Sequence, residues 1–284
     1  MIIIAILTLG TIALVFGTIL AIADVKLRVY EDPKVIAIND ILPQANCGAC
    51  GFPGCKGYAE AVVKGDTPIT KCAPGGQDVI DEIAQILGVE AGEALKMVAR
   101  VHCRGTEEAS ARRGLYMGIK TCKGASLIGG GDKHCTWGCL GYGDCEVACP
   151  FDAITMADNG LPVVSEELCT GCGVCVEICP RNILELHPIK EDVLVFCRSH
   201  DGPKLSRSLC KNACIACWQC VRKSPQGAME MDNNLAKVIE PEKVVQAIRE
   251  QAFKCPTLAI KLVHEETLPA PPVNAGESVS GSPE

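Results

Sequence analysis

Twenty cysteines stand among the 284 residues, and their spacing is where chemistry can be read. The run Cys169-Thr-Gly-Cys172-Gly-Val-Cys175-Val-Glu-Ile-Cys179-Pro180 has the form C-x2-C-x2-C-x3-C-P. A looser run precedes it: Cys135-x3-Cys139-x5-Cys145-x3-Cys149-Pro150. In the two-cluster ferredoxin pattern, three closely spaced thiolates grip one cubane cluster, and the fourth cysteine reaches across to the other. The spacing therefore predicts one [4Fe–4S] centre held by Cys149, Cys169, Cys172 and Cys175. Its neighbour would be held by Cys135, Cys139, Cys145 and Cys179. Tetrahedral zinc is the rival chemistry, but a triple run closed by Cys-Pro supplies more thiols than one zinc uses.

Two further sets follow the same logic. Cys47, Cys50, Cys55 and Cys72 form C-x2-C-x4-C-x16-C, with Gly48, Gly51 and Gly54 interleaved so that backbone N–H groups can approach sulfur. Zinc competes more seriously here. After Pro180 the chain repeats itself. Val101-His-Cys103-Arg resembles Val195-Phe-Cys197-Arg, and Cys122-x12-Cys135-x3-Cys139 matches Cys197-x12-Cys210-x3-Cys214. Ser224-Pro225 stands where Cys149-Pro150 stood, so the second copy should complete a single centre, from Cys214, Cys217, Cys220 and Cys255. That leaves Cys103, Cys122, Cys197 and Cys210 either as a fifth centre between the copies or as buried apolar thiols. The cofactor reading is four [4Fe–4S] clusters, with a fifth open. His102, His134, His187, His200 and His264 are read as structural or exposed, and Trp137 and Trp218 as lids over the cysteine runs.

The elements that must position these thiols are small. Aromatic residues make up 4% of the chain and its net charge is −7. No basic excess points to nucleic acid, and metal binding should supply much of the folding energy. Residues Ile2 to Ala23 carry no charge, and as a helix would span about 33 Å, enough for a bilayer core. Ala21-Ile22-Ala23 resembles a signal-peptidase site, but nothing basic precedes the apolar run and Lys26, Arg28 and Lys34 follow it. The reading is a single-pass anchor, N-terminus outside, with the remainder on the reducing cytoplasmic side of the inner membrane. Short helices are expected between Lys56 and Lys64, over Asp78–Leu87 and Glu90–Val101 (broken at Gly88), and over Pro241–Phe253. Residues 100–135 hold seven basic side chains against three acidic ones, either a steering patch for an acidic partner or an ordinary solvated loop. Gly129-Gly130-Gly131 lacks the frame of a phosphate loop.

The whole is an α+β chain: an anchor (1–29), a small helical 4Fe–4S module (30–77), a helical spacer (78–101), a two-cluster ferredoxin-like domain (102–190), a second ferredoxin-like module in tandem (191–265), and a disordered tail (266–284).

An uncharged N-terminal helix, then Asn46-Cys47-Gly-Ala-Cys50-Gly-Phe-Pro-Gly-Cys55, then ferredoxin runs, resembles the B-subunit family of the Rnf complex, an ion-translocating ferredoxin:NAD oxidoreductase. The resemblance covers residues 1 to about 265. It implies a membrane-anchored electron-transfer subunit that takes electrons from reduced ferredoxin or flavodoxin and relays them to membrane and flavin-bearing partner subunits. Short members of the family stop after the two-cluster ferredoxin, so Cys103, Cys122 and everything from Cys197 onward are additions. The family includes complexes using sodium ions and others using protons. No nucleophile–base pair or dinucleotide glycine fingerprint occurs, so bond-making belongs to partners. The alternatives are a ferredoxin-like subunit of another membrane redox enzyme, such as a hydrogenase or dehydrogenase, and a zinc-binding scaffold.

Overall fold

The structure, a computed structural model, describes residues 2–27 and 31–263. His264 and the tail read as disordered lie outside the described residues. The chain divides into two compact units, at Glu93 and Ala94.

The N-terminal unit is helical. Helix α1 (Ile2–Leu27) is 26 residues long, and its segment Leu9–Lys26 is apolar enough to cross a membrane. Helix α2 (Pro33–Ile41) starts where Asp32 accepts a hydrogen bond from the Lys34 amide at 2.8 Å, with Pro33 in the first turn. Helix α3 (Cys55–Lys64) stops at Gly65 and α4 (Gly76–Leu87) at Gly88, each glycine left-handed as a helix C-terminus favours. Ile38 and Leu42, Tyr58, Ala59 and Val62, and Ile83 pack one small core from these three helices. The Tyr58 hydroxyl donates to the Ile69 carbonyl at 2.8 Å, which ties α3 to the segment running into Cys72.

The expected second helix over Glu90–Val101 does not form. Gly92 interrupts it, and Met97–Val101 is instead strand β1, its central three residues buried. Strand pairing overrides local helical periodicity here.

The C-terminal unit contains two halves built alike. In the first, β1 pairs antiparallel with β4 (Leu184–Pro188), from Met97 opposite Pro188 to Val101 opposite Leu184. Between them lie α5 (Cys122–Ser126), α6 (Asp144–Val147), the hairpin of β2 (Ile154–Met156) and β3 (Pro162–Val164), and α7 (Val174–Ile178). In the second, β5 (Val193–Val195) pairs antiparallel with β8 (Ile260–Leu262). These enclose α8 (Pro203–Leu209), α9 (Gln219–Lys223), the hairpin of β6 (Met229–Asp232) and β7 (Leu235–Val238), and α10 (Pro241–Arg249). Two-stranded sheets are marginal alone. Cysteines join the aliphatic side chains that lie between them: Cys145, Cys169 and Cys175 belong to the first core, and Cys197, Cys210, Cys214 and Cys220 to the second.

The basic stretch is mostly spent inside the fold. Arg100 pairs with Glu166 at 2.5 Å, Arg112 with Glu107 and Asp132 at 2.8 and 2.6 Å, and Arg113 donates to the Lys133 and Gly131 carbonyls. Lys133 is fully buried and donates to the Gly105 carbonyl at 2.5 Å. These side chains do not form a steering surface.

Candidate metal centres

All twenty thiols are unpaired, and they line five cavities, four thiols to each. In the N-terminal unit Cys47, Cys50, Cys55 and Cys72 share one cavity. The Asn46 side chain positions its loop, its Oδ1 accepting from the Cys55 amide at 2.9 Å at the start of α3. A Cβ at Gly54 would lie 2.8 Å from that same oxygen, so only glycine lets the loop close.

In the C-terminal unit Cys149 joins Cys169, Cys172 and Cys175 around a second cavity, the grouping that the spacing predicts. Gly171 has φ +71°, and a Cβ there would meet the Met97 carbonyl oxygen at 2.6 Å; the cysteine loop lies flat against β1. The Ala99 amide of that strand donates to Cys169 Sγ at 3.4 Å. The two Cys-Pro turns are built the same way. The Ala153 amide donates to Cys149 Sγ and the Ile183 amide to Cys179 Sγ, both at 3.4 Å.

The third cavity departs from the expected set. Cys139, Cys145 and Cys179 line it, but their fourth companion is Cys122 rather than Cys135. Cys122 opens α5, where Asp144 accepts from its backbone amide at 2.9 Å, and this contact draws it over α6. Cys135 turns the other way and lines a cavity with Cys103, Cys197 and Cys210. Of the four thiols set aside as a possible fifth centre, three therefore come together and the fourth is exchanged. Cys214, Cys217, Cys220 and Cys255 line the fifth cavity, as the spacing predicts.

The exchange has a symmetry that the sequence carried. By the repeat, Cys103 corresponds to Cys197 and Cys135 to Cys210, so each half contributes the same two thiols to the seam between them. The hydrogen bonds repeat as well. Gly105 donates to Cys103 Sγ at 3.3 Å and Ser199 to Cys197 Sγ at 3.4 Å. Cys139 N–H also donates to Cys103 Sγ, and the backbone of its counterpart Cys214 lies against Cys197. Aligning the two copies on Val-x-Cys-Arg would have found this pairing.

These cavities fit a cluster better than a single ion. Four thiolates on one zinc, with bonds near 2.3 Å, bring their sulfurs to about 3.8 Å from one another. Among the described residues no three thiol sulfurs lie within 4.8 Å of one another, so each set surrounds something larger. The five cavities are also alike in size. Burial pushes the thiols of Cys139, Cys175, Cys197 and Cys220 up to about 12 and Cys145 up to about 11, with neighbouring sulfurs adding to the rise. Thiolates are stable in such places only against a strongly cationic guest.

Of the residues read as lids, Trp137 lines the seam cavity and meets the His200 ring edge-on at 5.0 Å between centroids. Trp218 stands 45% exposed.

Comparison with known proteins also points to iron–sulfur clusters. Residues 42–74 match a family model described as a putative Fe–S cluster, and residues 136–186 one described as a 4Fe–4S dicluster domain. The chain is 45% identical over 248 residues to the B-subunit of the Na⁺-translocating ferredoxin:NAD⁺ oxidoreductase complex of Acetobacterium woodii, covering 87% of this chain and 74% of that one. It belongs to the Rnf B-subunit family. The B-subunit of the ion-translocating oxidoreductase complex of Methanosarcina acetivorans is 37% identical over 91% of this chain and 97% of its own. A proton-translocating counterpart from Clostridium ljungdahlii is 37% identical over 89% of each. This Rnf protein is thus an iron–sulfur electron-transfer component of a multi-subunit redox complex, and its apolar N-terminal helix fits a membrane-associated one.

Proposed function

We propose that this chain is a five-centre electron relay: it accepts electrons from reduced ferredoxin or flavodoxin and passes them to membrane and flavin-bearing subunits of an ion-translocating ferredoxin:NAD oxidoreductase. The observation that supports it is the division of twenty thiols into five sets of four with none left over. When bound, [4Fe–4S] clusters supply reversible one-electron chemistry at potentials set by charge, sulfur hydrogen bonds and exposure. The chain's part is to furnish thiolates, to point backbone amides at them, and to keep water out.

In the C-terminal unit the four sets form a row. Cys175 feels the thiol of Cys145 in the neighbouring set as well as those of its own. Cys139 N–H reaches Cys103, and the Cys214 backbone lies against Cys197. The seam set is therefore the link between the ferredoxin-like pair and the Cys214 set, and the two halves act as tandem ferredoxin-like modules joined at a shared centre. The Lys133 side chain lines the seam cavity, and its charge also reaches Cys139 in the next set, so it should raise the potential of that link. In this reading α1 crosses the inner membrane with its N-terminus outside and the centres on the cytoplasmic side.

The test is iron and acid-labile sulfide analysis of anaerobically purified full-length chain. About 20 irons are expected, four per cubane, with a broad band near 400 nm that dithionite bleaches. Colourless protein, or zinc in place of iron, overturns the reading.

A further inference from the structure

At the edge of the seam cavity, whose lining His102 shares, lies a second type of metal-ligating cluster. His102 follows β1, Glu185 and His187 lie on β4, and their donor atoms all fall within 4.8 Å of one another. His102 Nε2 is 2.9 Å from His187 Nε2, and Glu185 Oε2 is 3.7 and 4.0 Å from the two nitrogens.

The tautomers of both rings are fixed from behind. His102 Nδ1 lies 2.8 Å from the Val195 carbonyl oxygen. A carbonyl can only accept, so the proton of the neutral ring sits on Nδ1. His187 Nδ1 lies 2.9 Å from Glu191 Oε2, and a carboxylate imposes the same choice. Both Nε2 atoms therefore present bare lone pairs to each other. Two facing lone pairs at hydrogen-bond distance repel unless a cation lies between or beside them. His102 is only 7% exposed, so water does not readily resolve the conflict.

The geometry assigns to His102, His187 and Glu185 a mononuclear site for a divalent transition metal of the zinc class, with solvent as the fourth ligand. Two imidazoles and one carboxylate are a familiar zinc donor set, with bonds near 2.0 to 2.2 Å. Ligands at that distance stand about 3.3 Å apart, so adjustments well under 1 Å would seat the ion. Each ligand also has the outer partner that metal-binding side chains use for orientation. Val195 holds His102, Glu191 holds His187, and Arg198 donates to Glu185 Oε2, the same oxygen that faces the rings and that keeps a further lone pair for an ion. The ligands come from the first half, while Val195 and Arg198 come from the second. A bound ion would thus brace the seam without thiolate and without changing oxidation state.

The test uses full-length protein with its clusters intact, washed with a mild chelator and titrated anaerobically with zinc chloride, reading bound zinc, iron content and the 400 nm band together. One zinc per chain, with iron and band unchanged, is expected. His187→Gln and Glu185→Gln should each weaken zinc binding at least tenfold, and Glu191→Gln by roughly ten- to a hundredfold, as loss of an outer partner does. Cobalt(II) as a second probe should give a spectrum without a thiolate charge-transfer band. No zinc binding below millimolar concentration overturns the assignment and leaves a proton shared by the two rings. So does zinc uptake that survives in His187→Gln, or uptake that displaces iron. Iron content judges the relay separately.

Discussion

Replacing Cys122 and, separately, Cys135 by alanine tests the grouping on which the relay depends. Each variant removes one ligand from a four-thiol cavity, and a cubane holds four irons. Each should therefore fall from about 20 to about 16 irons, losing about one fifth of the 400 nm absorbance. The two should differ in which fifth they lose. Cys122 shares its cavity with Cys139, Cys145 and Cys179, immediately beside the Cys175 set. Cys122→Ala should abolish the magnetic coupling between the ferredoxin-like pair, visible as simplification of the low-temperature EPR spectrum of reduced protein. Cys135→Ala should leave that coupling intact, because its thiol faces Cys103, Cys197 and Cys210. It should instead loosen the seam, so that limited proteolysis separates a fragment ending near residue 190 from the rest. The opposite pattern, coupling lost in Cys135→Ala and iron retained in Cys122→Ala, would restore the simple reading of the spacing and refute the seam centre.

Lys133→Met should lower the potential of one centre on the order of 100 mV, since a unit charge close to a cluster, at an effective dielectric of about 20, is worth a few kcal/mol. EPR-monitored redox titration reads this, and an unchanged set of potentials would show that Lys133 does not act on the seam. Gly171→Ala places a Cβ 2.6 Å from the Met97 carbonyl oxygen at φ +71°. The left-handed conformation alone costs about 1–2 kcal/mol, so the variant should melt lower and lose about four irons from the Cys149 set; full iron with unchanged melting would contradict the packing. Ser224→Cys should leave the iron count unchanged, because the buried Ser224 lines none of the five cysteine cavities and no three spare thiols exist to join it.

Much of this was written in local spacing. Cys169-x2-Cys172-x2-Cys175 with Cys149, and Cys214-x2-Cys217-x2-Cys220 with Cys255, are each gathered as their runs imply, because a tight loop leaves the thiols no other place to go. The helix of Asp78–Leu87 was legible from its apolar rhythm and its terminating Gly88. What failed was non-local. Strand β1 looks helical until β4, more than eighty residues on, offers an edge to pair with. Cys122 and Cys135 are both within reach of the same loop, and only the path of α5 beneath Asp144, together with the presence of the second half, decides which turns inward. The His102–His187 contact was invisible for the same reason: pairing of β1 with β4 brings the rings together.

The seam set also orders the birth of the protein. When the ribosome has released the chain as far as Pro188, every thiol of the ferredoxin-like pair is already outside, and those two sites can be loaded. Cys103 and Cys135 must wait, reactive and half-enclosed, until Cys197 and Cys210 emerge. A nascent chain stalled in that interval would be open to oxygen and stray metals at one defined point, and a cofactor inserted there would join the two halves even before Cys255 emerges to complete the Cys214 set.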